Sequence, residues 1–286
     1  AYFAPGTTGW TTLGSGIYKM NKLPKKTIPG TGLDVSVLGL GTVKLGRDKG
    51  VKYPESFTIP NDEATLALLQ QAWDLGINLI DTAPAYGNSE QRLGELLPQL
   101  PHDWIICSKA GEQFDAKTGE SHFDFSHDAI IRSVEQSLQR LNREMIDIVL
   151  IHSDGNDVPI IEQYQALETL NELKQQGLIG ATGISSKTVD GGLLALQQSD
   201  IVMVTHNLAY QDEQIVIDTA EQLNKAIFIK KAFASGHLPA NSTKDSVSAS
   251  FEMIFANPAV ASVVVGTINP VHLADNVAKA IAAFDK

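Results

Sequence analysis

Eight short apolar runs, separated by longer amphipathic stretches, follow one another along the chain from Met20 onward. Most runs lack an alternation of apolar and polar residues: residues 148–151 are four apolar residues in succession, which is typical of parallel strands that are buried on both faces. The stretches between them, such as 130–141, carry apolar residues every three or four positions and are predicted to be helices. The predicted strands are 37–40, 78–81, 104–109, 147–152, 179–183, 201–204, 227–230 and 262–266. The predicted helices are 61–76 with Asn61 as cap, 126–141 with Ser126 as cap, 160–177, 188–198, 213–225, 245–256 and a last one after Pro270.

The number of strand–helix units decides between the two folds that show this alternation. A doubly wound sheet typically has fewer strands and a third glycine in the fingerprint after its first strand. Residues 39–41 (GLG) lack that third glycine and lead into a loop. Eight units are the number of a (β/α)8, or TIM, barrel. We therefore expect an α/β fold in which residues 20–286 form a single TIM barrel domain, with a short N-terminal β-hairpin turning at residues 29–32 as a cap on its floor.

Composition narrows the class of protein. Acidic residues outnumber basic ones by 33 to 22, and the net charge of −11 disfavours binding to nucleic acid or to an anionic membrane. No apolar run reaches the length of about 18 residues that a membrane span needs. Cys107 is the only cysteine, and no histidine spacing suggests a metal site. We expect a cytoplasmic protein, a monomer or weak homo-oligomer without metal, in which the uncharged start of residues 1–19 is an expression extension or disordered leader.

Polar residues stand at the ends of three neighbouring predicted strands. Asp81 ends the second strand, Lys109 the third and His152 the fourth, and Tyr86 lies in the loop after the second. Alternation along each strand places these side chains on the same face as apolar neighbours that point into the barrel. Active sites of TIM barrels lie at this end of the strands, so we expect the four side chains to share one mouth.

These residue types suit the delivery of a proton to a carbonyl oxygen. A buried lysine and aspartate are costly unless paired, and a paired ammonium beside a phenol favours the ionised phenol. Tyrosine ionises near pH 10 in water, and bringing that to about 7 requires roughly 4 kcal/mol, which a nearby ammonium at low dielectric can supply. We therefore expect Tyr86 to act as an acid with Lys109 and Asp81 behind it, and His152 to orient the substrate oxygen.

Four segments that carry these residues resemble motifs of the aldo-keto reductases: 81–90 (DTAPAYGNSE), 107–111 (CSKAG), 146–152 (IDIVLIH) and 38–42 (LGLGT). They occur in the order of that family, and the resemblance covers about residues 25–284. It implies hydride transfer between NAD(P)H and the carbonyl group of a small aldehyde or ketone. In this reading Asp81, Tyr86, Lys109 and His152 are the catalytic tetrad, and the nicotinamide cofactor lies across the barrel mouth.

The resemblance also implies a set of residues that bind the cofactor. We expect Ser185 to bind the nicotinamide amide, Met203 and His206 to stand where a glutamine and a tyrosine are frequent, and Lys231 or backbone amides near Gly236 to meet the pyrophosphate. Gly266 and His272 replace the lysine and arginine that hold the 2′-phosphate in many NADPH-dependent members, so NADP(H) is expected from the habit of the family and NAD(H) is the alternative. The full set is Gly41, Thr42, Asp81, Ser185, Met203, His206, Lys231, Ala234, Gly236, Leu238, Gly266, Thr267, Asn269, His272 and Asn276.

Two other functions remain open at this stage. Lys109 could form a Schiff base in a lyase or aldolase, although a neighbouring Asp81 would keep it charged. The barrel could also bind NAD(P)H as a redox sensor without catalysis. Substrate choice is expected to lie in the loops 45–60, 110–125 and 153–158, with Phe114, Phe123 and Phe125 as apolar walls. Because the chain ends close after its last helix, we expect an open site.

Overall fold

The computed structural model describes residues 22–51, 56–234 and 245–286, together with the backbone of two short strands nearer the start of the chain. Its strands, numbered in chain order, are β1 (Trp10–Thr12), β2 (Ile17–Lys19), β3 (Lys25–Thr27), β4 (Asp34–Ser36), β5 (Leu38–Gly41), β6 (Leu79–Asp81), β7 (Ile105–Ala110), β8 (Glu112–Asp115), β9 (Glu120–Phe123), β10 (Ile146–His152), β11 (Ile179–Ser185), β12 (Ile201–Thr205), β13 (Ala226–Lys230) and β14 (Val260–Val265). Its helices are α1 (Val43–Gly46), α2 (Asp62–Asp74), α3 (Ser89–Leu96), α4 (His127–Leu141), α5 (Asp157–Glu162), α6 (Ala166–Gln175), α7 (Val189–Ala195), α8 (Gln214–Gln222), α9 (Ser246–Phe255) and α10 (Pro270–Phe284).

Eight parallel strands close into a barrel in the order β5-β6-β7-β10-β11-β12-β13-β14, and β14 pairs back to β5. This confirms the predicted TIM barrel, and every predicted strand lies within two residues of an observed one. The antiparallel pair β3–β4 forms the predicted cap. Its Ile28 and Val35 are fully buried among the side chains of the barrel interior, so the hairpin plugs the floor.

A second hairpin, β1–β2, falls within the segment set apart as an extension or leader. The origin of that segment stays a prediction. None of the helices described above combines the length and the apolar character that a membrane span requires.

Helix α3 was not predicted, because half of the residues that it buries are polar. Ser89, Glu90 and Arg92 are buried along with Leu93 and Leu96, so the apolar periodicity that marks a helix is interrupted. Glu90 accepts a hydrogen bond from Ser108 Oγ at 2.5 Å and from Arg140 Nε at 2.7 Å. These bonds satisfy the buried carboxylate and replace the apolar contacts that the sequence pattern would have shown.

The predicted helix over 160–177 is wrong in one respect, since the chain breaks it into α5 and α6. Gln165 has a left-handed conformation with φ of 53° between them. Tyr164, which an unbroken helix would place on the same face as the buried Ile160 and Leu167, is 50% exposed. Of the two predicted caps, Asn61 accepts from the Ala64 amide, whereas Ser126 stands at the start of α4 without a side-chain cap bond.

The core has two layers separated by the barrel wall. Leu79, Cys107, Leu150, Met203 and Phe228 belong to the inner cluster, which fills the barrel. The alternate residues of the same strands pack outward under the helices. This alternation fixes which residue of each strand points into the mouth, and it agrees with the parity predicted for β6, β7 and β10.

Candidate active site

The mouth of the barrel is formed by the last inward-facing residue of each strand or the residue just after it. Two of these eight residues are glycines, and the other six carry a carboxylate, an ammonium, an imidazole or a hydroxyl group. They are Gly41, Asp81, Lys109, His152, Ser185, Thr205, Lys230 and Gly266. The fold therefore gathers groups from all eight strands around one opening.

Lys109 and Asp81 form a buried ion pair between the ends of the neighbouring strands β6 and β7. Lys109 Nζ donates to Asp81 Oδ1 at 2.5 Å and to the Thr82 carbonyl oxygen at 2.9 Å, and the two side chains are only 2% and 5% exposed. Burial alone would lower the pKa of Lys109, but the charge of Asp81, aided by Tyr86 and Cys107, raises it above its ordinary value. Lys109 is therefore a fixed positive charge.

Tyr86 lies against this ammonium. Lys109 Nζ is 4.9 Å from the centre of the Tyr86 ring, and the ring meets that of His152 edge-on, with centroids 6.1 Å apart and an angle of 85°. The turn that carries Tyr86 depends on Gly87 at φ of 62°, where a Cβ would lie 2.0 Å from the Gly46 carbonyl oxygen. The structure thus brings the four predicted catalytic residues together, while their roles stay predictions.

Glu112 is an acidic neighbour of His152 that was not predicted. Its Oε2 lies 2.8 Å from His152 Nδ1, at an angle too bent for a straight hydrogen bond. Burial lowers the pKa of His152, and Glu112 opposes this effect. Burial would raise the pKa of Glu112, but the contact with His152 lowers it to about 2. Glu112 is therefore a carboxylate at neutral pH.

Lys230 is the second residue that sequence reasoning missed. Its Nζ donates to Ser185 Oγ at 2.8 Å and to the Ser186 carbonyl oxygen at 2.6 Å. Burial lowers the pKa of Lys230 to about 7, with the charge of Glu213 acting against the shift. Lys231, predicted to meet the pyrophosphate, is exposed and has a φ of 55°. Of these two adjacent lysines, Lys230 faces the barrel mouth and Lys231 faces away from it.

Sequence signals for these two residues differ. Lys230 is two and four residues beyond Phe228 and Ala226, which both face inward, so strand parity alone could have placed it in the mouth. Glu112 was hidden, because it lies on a hairpin, β8–β9, inside a segment read as a loop.

Asp157 supports the end of β11. Its Oδ2 accepts from the amides of Lys187 and Thr188 at 2.8 and 2.7 Å and from the Thr188 hydroxyl at 2.6 Å. The carboxylate is buried, and these three bonds fix the turn that follows Ser185 and Ser186. Among the residues described, the Ser185 hydroxyl accepts from Lys230 and donates to none.

Several predicted cofactor residues already have structural partners. The Thr42 hydroxyl donates to the Asp81 carbonyl oxygen at 2.9 Å and is fully buried. Met203 is 2% exposed inside the barrel core. The Asn269 side chain caps α10 by accepting from the amides of Val271 and His272.

The other predicted cofactor residues vary in how far they are open to a ligand. His206 is 1% exposed, and its buried Nδ1 has no partner among the residues placed by the structure. Gly266 and His272 are exposed, whereas the three others are partly so: Ala234, Thr267 and Asn276. Gly236 and Leu238 lie outside the described residues.

The aromatic residues expected as pocket walls have different surroundings. Phe114 is covered by Arg47, whose guanidinium lies 3.7 Å from the ring centre. Phe125 is 6% exposed and packs on Gly111, and Phe123 packs against the outer core. Only part of the expected loop 45–60 can be placed, since 52–55 are not among the described residues.

Comparison with known proteins agrees with this site. The sequence model of the aldo/keto reductase family matches residues 37–253, more than half of the chain. A solved structure from Pseudomonas aeruginosa, described as an aldo-keto reductase, is 53% identical with a TM-score of 0.82, covering 92% of this chain and 97% of that one.

Curated relatives are more distant. The oxidoreductase YqkF of Bacillus subtilis is 34% identical over 164 residues, 57% of this chain and 48% of its own length. The L-galactose dehydrogenase of Arabidopsis thaliana is 34% identical over 175 residues, 58% of this chain and 50% of its own length. The chain thus spans about half the length of these curated relatives. The family match over most of the barrel, together with the strand-end residues in their order, establishes that the chain belongs to the aldo/keto reductase family.

Proposed function

We propose that this protein is an NAD(P)H-dependent oxidoreductase that reduces the carbonyl group of small aldehydes or ketones to an alcohol. The observation that carries the proposal is the buried ammonium of Lys109, held 2.5 Å from Asp81 and 4.9 Å from the Tyr86 ring. Because the Lys109 ammonium is fixed in place, it favours the ionised form of the neighbouring Tyr86 phenol. Tyr86 can therefore release its proton to an oxygen that becomes an alkoxide, and take a proton back in the reverse direction.

The groups around the mouth fit a nicotinamide cofactor. The neighbouring strands β5 and β14 lead into Gly41 and Gly266, so neither of these strand ends carries a side chain at the mouth. The hydroxyl of Ser185 is available as a donor for a carboxamide oxygen, because it accepts from Lys230 and donates to none of the residues described. When bound, the cofactor supplies the hydride. Gly41, Ser185, Lys230 and Gly266 would hold its nicotinamide end, and His272 and Asn276 its adenosine end.

NADP(H) is the proposed cofactor and NAD(H) the alternative. The first turn of α10 offers backbone amides to an anion, although Asn269 already occupies two of them, those of Val271 and His272. Exposed His272 is the one side chain there with a cationic form. The preference for NADP(H) or NAD(H) is tested by titrating the protein with NADPH and with NADH and measuring the quenching of tryptophan fluorescence. The proposal keeps a small-molecule carbonyl substrate, a cytoplasmic location and a monomer or weak homo-oligomer.

The geometry disfavours a Schiff base on Lys109. An amine must be uncharged to attack a carbonyl carbon, whereas Asp81 raises the pKa of Lys109 and two acceptors hold its protons. Sodium borohydride with an aldehyde should therefore leave Lys109 unmodified, which peptide mass spectrometry measures.

The direct test follows loss of NADPH or NADH absorbance with a panel of aldehydes and ketones. Tyr86→Phe removes only the ionisable hydroxyl and should abolish turnover while cofactor binding persists. Tyr164→Phe is the matched control, since Tyr164 is 50% exposed and is not one of the eight residues that form the mouth. Cofactor binding without turnover across the whole panel would favour a redox sensor instead.

A further inference from the structure

We propose that Glu112 is a positioning residue that fixes a proton on Nδ1 of His152, so that His152 donates to a carbonyl oxygen only in its doubly protonated form. This inference deepens the proposed reduction and rests on it. It concerns a contact between the hairpin β8–β9 and the end of β10.

The chain brings Glu112 to this place by a sharp turn at Gly111. Gly111 has a φ of 103°, and a Cβ there would lie 2.5 Å from the Phe125 ring, so only glycine fits. Glu112 begins β8 directly after the turn, three residues beyond Lys109, and pairs in register with Phe123. Glu112 and Phe114 are partly buried while Gln113 between them is exposed, so the alternating face with Glu112 turns inward.

The hairpin is tied to the loops around Tyr86. Arg47 lies over the Phe114 ring at 3.7 Å and donates through Nη1 to the Ala85 carbonyl oxygen at 2.9 Å. Its Nε donates to the Lys49 carbonyl oxygen at 2.8 Å. The positive charge of Arg47 also lowers the pKa of Glu112, in addition to the larger effect of His152. Glu112 is thus held in place and ionised.

The 2.8 Å contact between Glu112 Oε2 and His152 Nδ1 bears on the proton position. A carboxylate can only accept, and although the contact is too bent for a hydrogen bond, the nearby negative charge favours a proton on Nδ1 over a lone pair there. Neutral His152 then has a lone pair on Nε2, which makes no hydrogen bond to any residue that the structure places. A carbonyl oxygen is also an acceptor, and Nε2 can donate to it only after taking a second proton.

The charges around His152 act in opposite directions on that second proton. Lys109 and Lys230 disfavour it, as does burial, and Glu112 favours it. Asp81 is paired with Lys109, and Tyr86 presents its ring edge-on. Carbonyl reduction should therefore decline as the pH rises through the pKa of His152, and Glu112 should set where that decline lies.

Glu112→Gln tests the assignment, because a carboxamide can donate to Nδ1 and move the proton of neutral His152 to Nε2. We expect the pKa of His152 to fall by about 1 to 3, the usual effect of a carboxylate at this distance. Ring ¹⁵N and ¹³C NMR titration of the seven histidines, with His152→Asn for assignment, measures the pKa and the tautomer without any turnover. The pH profile of kcat/KM for reduction should lose its decline in the variant.

Glu120→Gln is the matched control: it removes the same charge from the exposed far end of the hairpin and should change neither measurement. Equal melting temperatures of the two variants exclude a loss of folding as the cause. An unchanged His152 pKa or tautomer in Glu112→Gln would overturn the inference. A shifted pKa with an unchanged pH profile would overturn the catalytic consequence alone, provided that Tyr86→Phe is inactive. Absence of turnover in the unmodified protein would refute the proposed function and this role with it.

Discussion

Removing the charges of Lys109 and Asp81 singly and then together should have different effects on stability and on activity. With side chains 2% and 5% exposed, either single change, Lys109→Met or Asp81→Asn, leaves one charge or its hydrogen-bonding partners without compensation. Breaking a buried ion pair costs about 3–5 kcal/mol. Because the entropy of unfolding scales with chain length, each kcal/mol of lost stability should lower the melting temperature of a chain of this size by about 2 °C. Each single variant should therefore melt roughly 6–10 °C below the wild type.

The double variant Asp81→Asn/Lys109→Met removes both charges and should recover part of that loss, because neither partner remains buried alone. It should still be inactive, since Tyr86 then lacks its ammonium. Circular dichroism melting and the carbonyl reduction assay measure the two properties on the same four proteins. Additive losses in the double variant, or single variants within about 2 °C of the wild type, would refute the pairing argument.

Three further predictions concern the surroundings of the mouth. Lys230→Met should raise the melting temperature most at pH 7 and less towards pH 10, because the pKa of Lys230 is lowered to about 7 and unfolding takes up its proton between these values; a constant difference would contradict this. Gly111→Ala should destabilise more than Gly119→Ala, because both glycines have a left-handed φ but only at Gly111 would a Cβ clash with Phe125, 2.5 Å away; equal melting temperatures of the two variants would contradict this. Asp157→Ala should weaken NADPH binding through the turn after Ser185, whereas unchanged fluorescence quenching would argue against that support.

The barrel could be predicted from the sequence because its strands are buried on both faces and its helices have one apolar face. The prediction failed where polar residues replace apolar ones on the buried side of a helix: the first turns of α3 bury Ser89, Glu90 and Arg92, and Glu90 is held by hydrogen bonds. The break at Gln165 depends on one backbone angle, and no periodicity reports it.

In the candidate site, strand parity predicts the position of some residues and does not predict that of Glu112. Asp81, Lys109 and His152 follow apolar strands, so parity sufficed to bring them together. Lys230 obeys the same parity and could have been found. Glu112 could not, because its place beside His152 follows from a glycine turn and a hairpin register. Counting strands along the sequence does not give this placement.

The ionisation of Tyr86 is the property on which the account depends most. Alkaline titration by ultraviolet difference absorbance, with the spectrum of Tyr86→Phe subtracted at each pH, isolates this residue from the other five tyrosines. We predict that Tyr86 is half ionised at a lower pH than free tyrosine, which ionises near 10, and that Lys109→Met removes the difference. Ionisation of Tyr86 at or above that value in the unmodified protein would contradict the account.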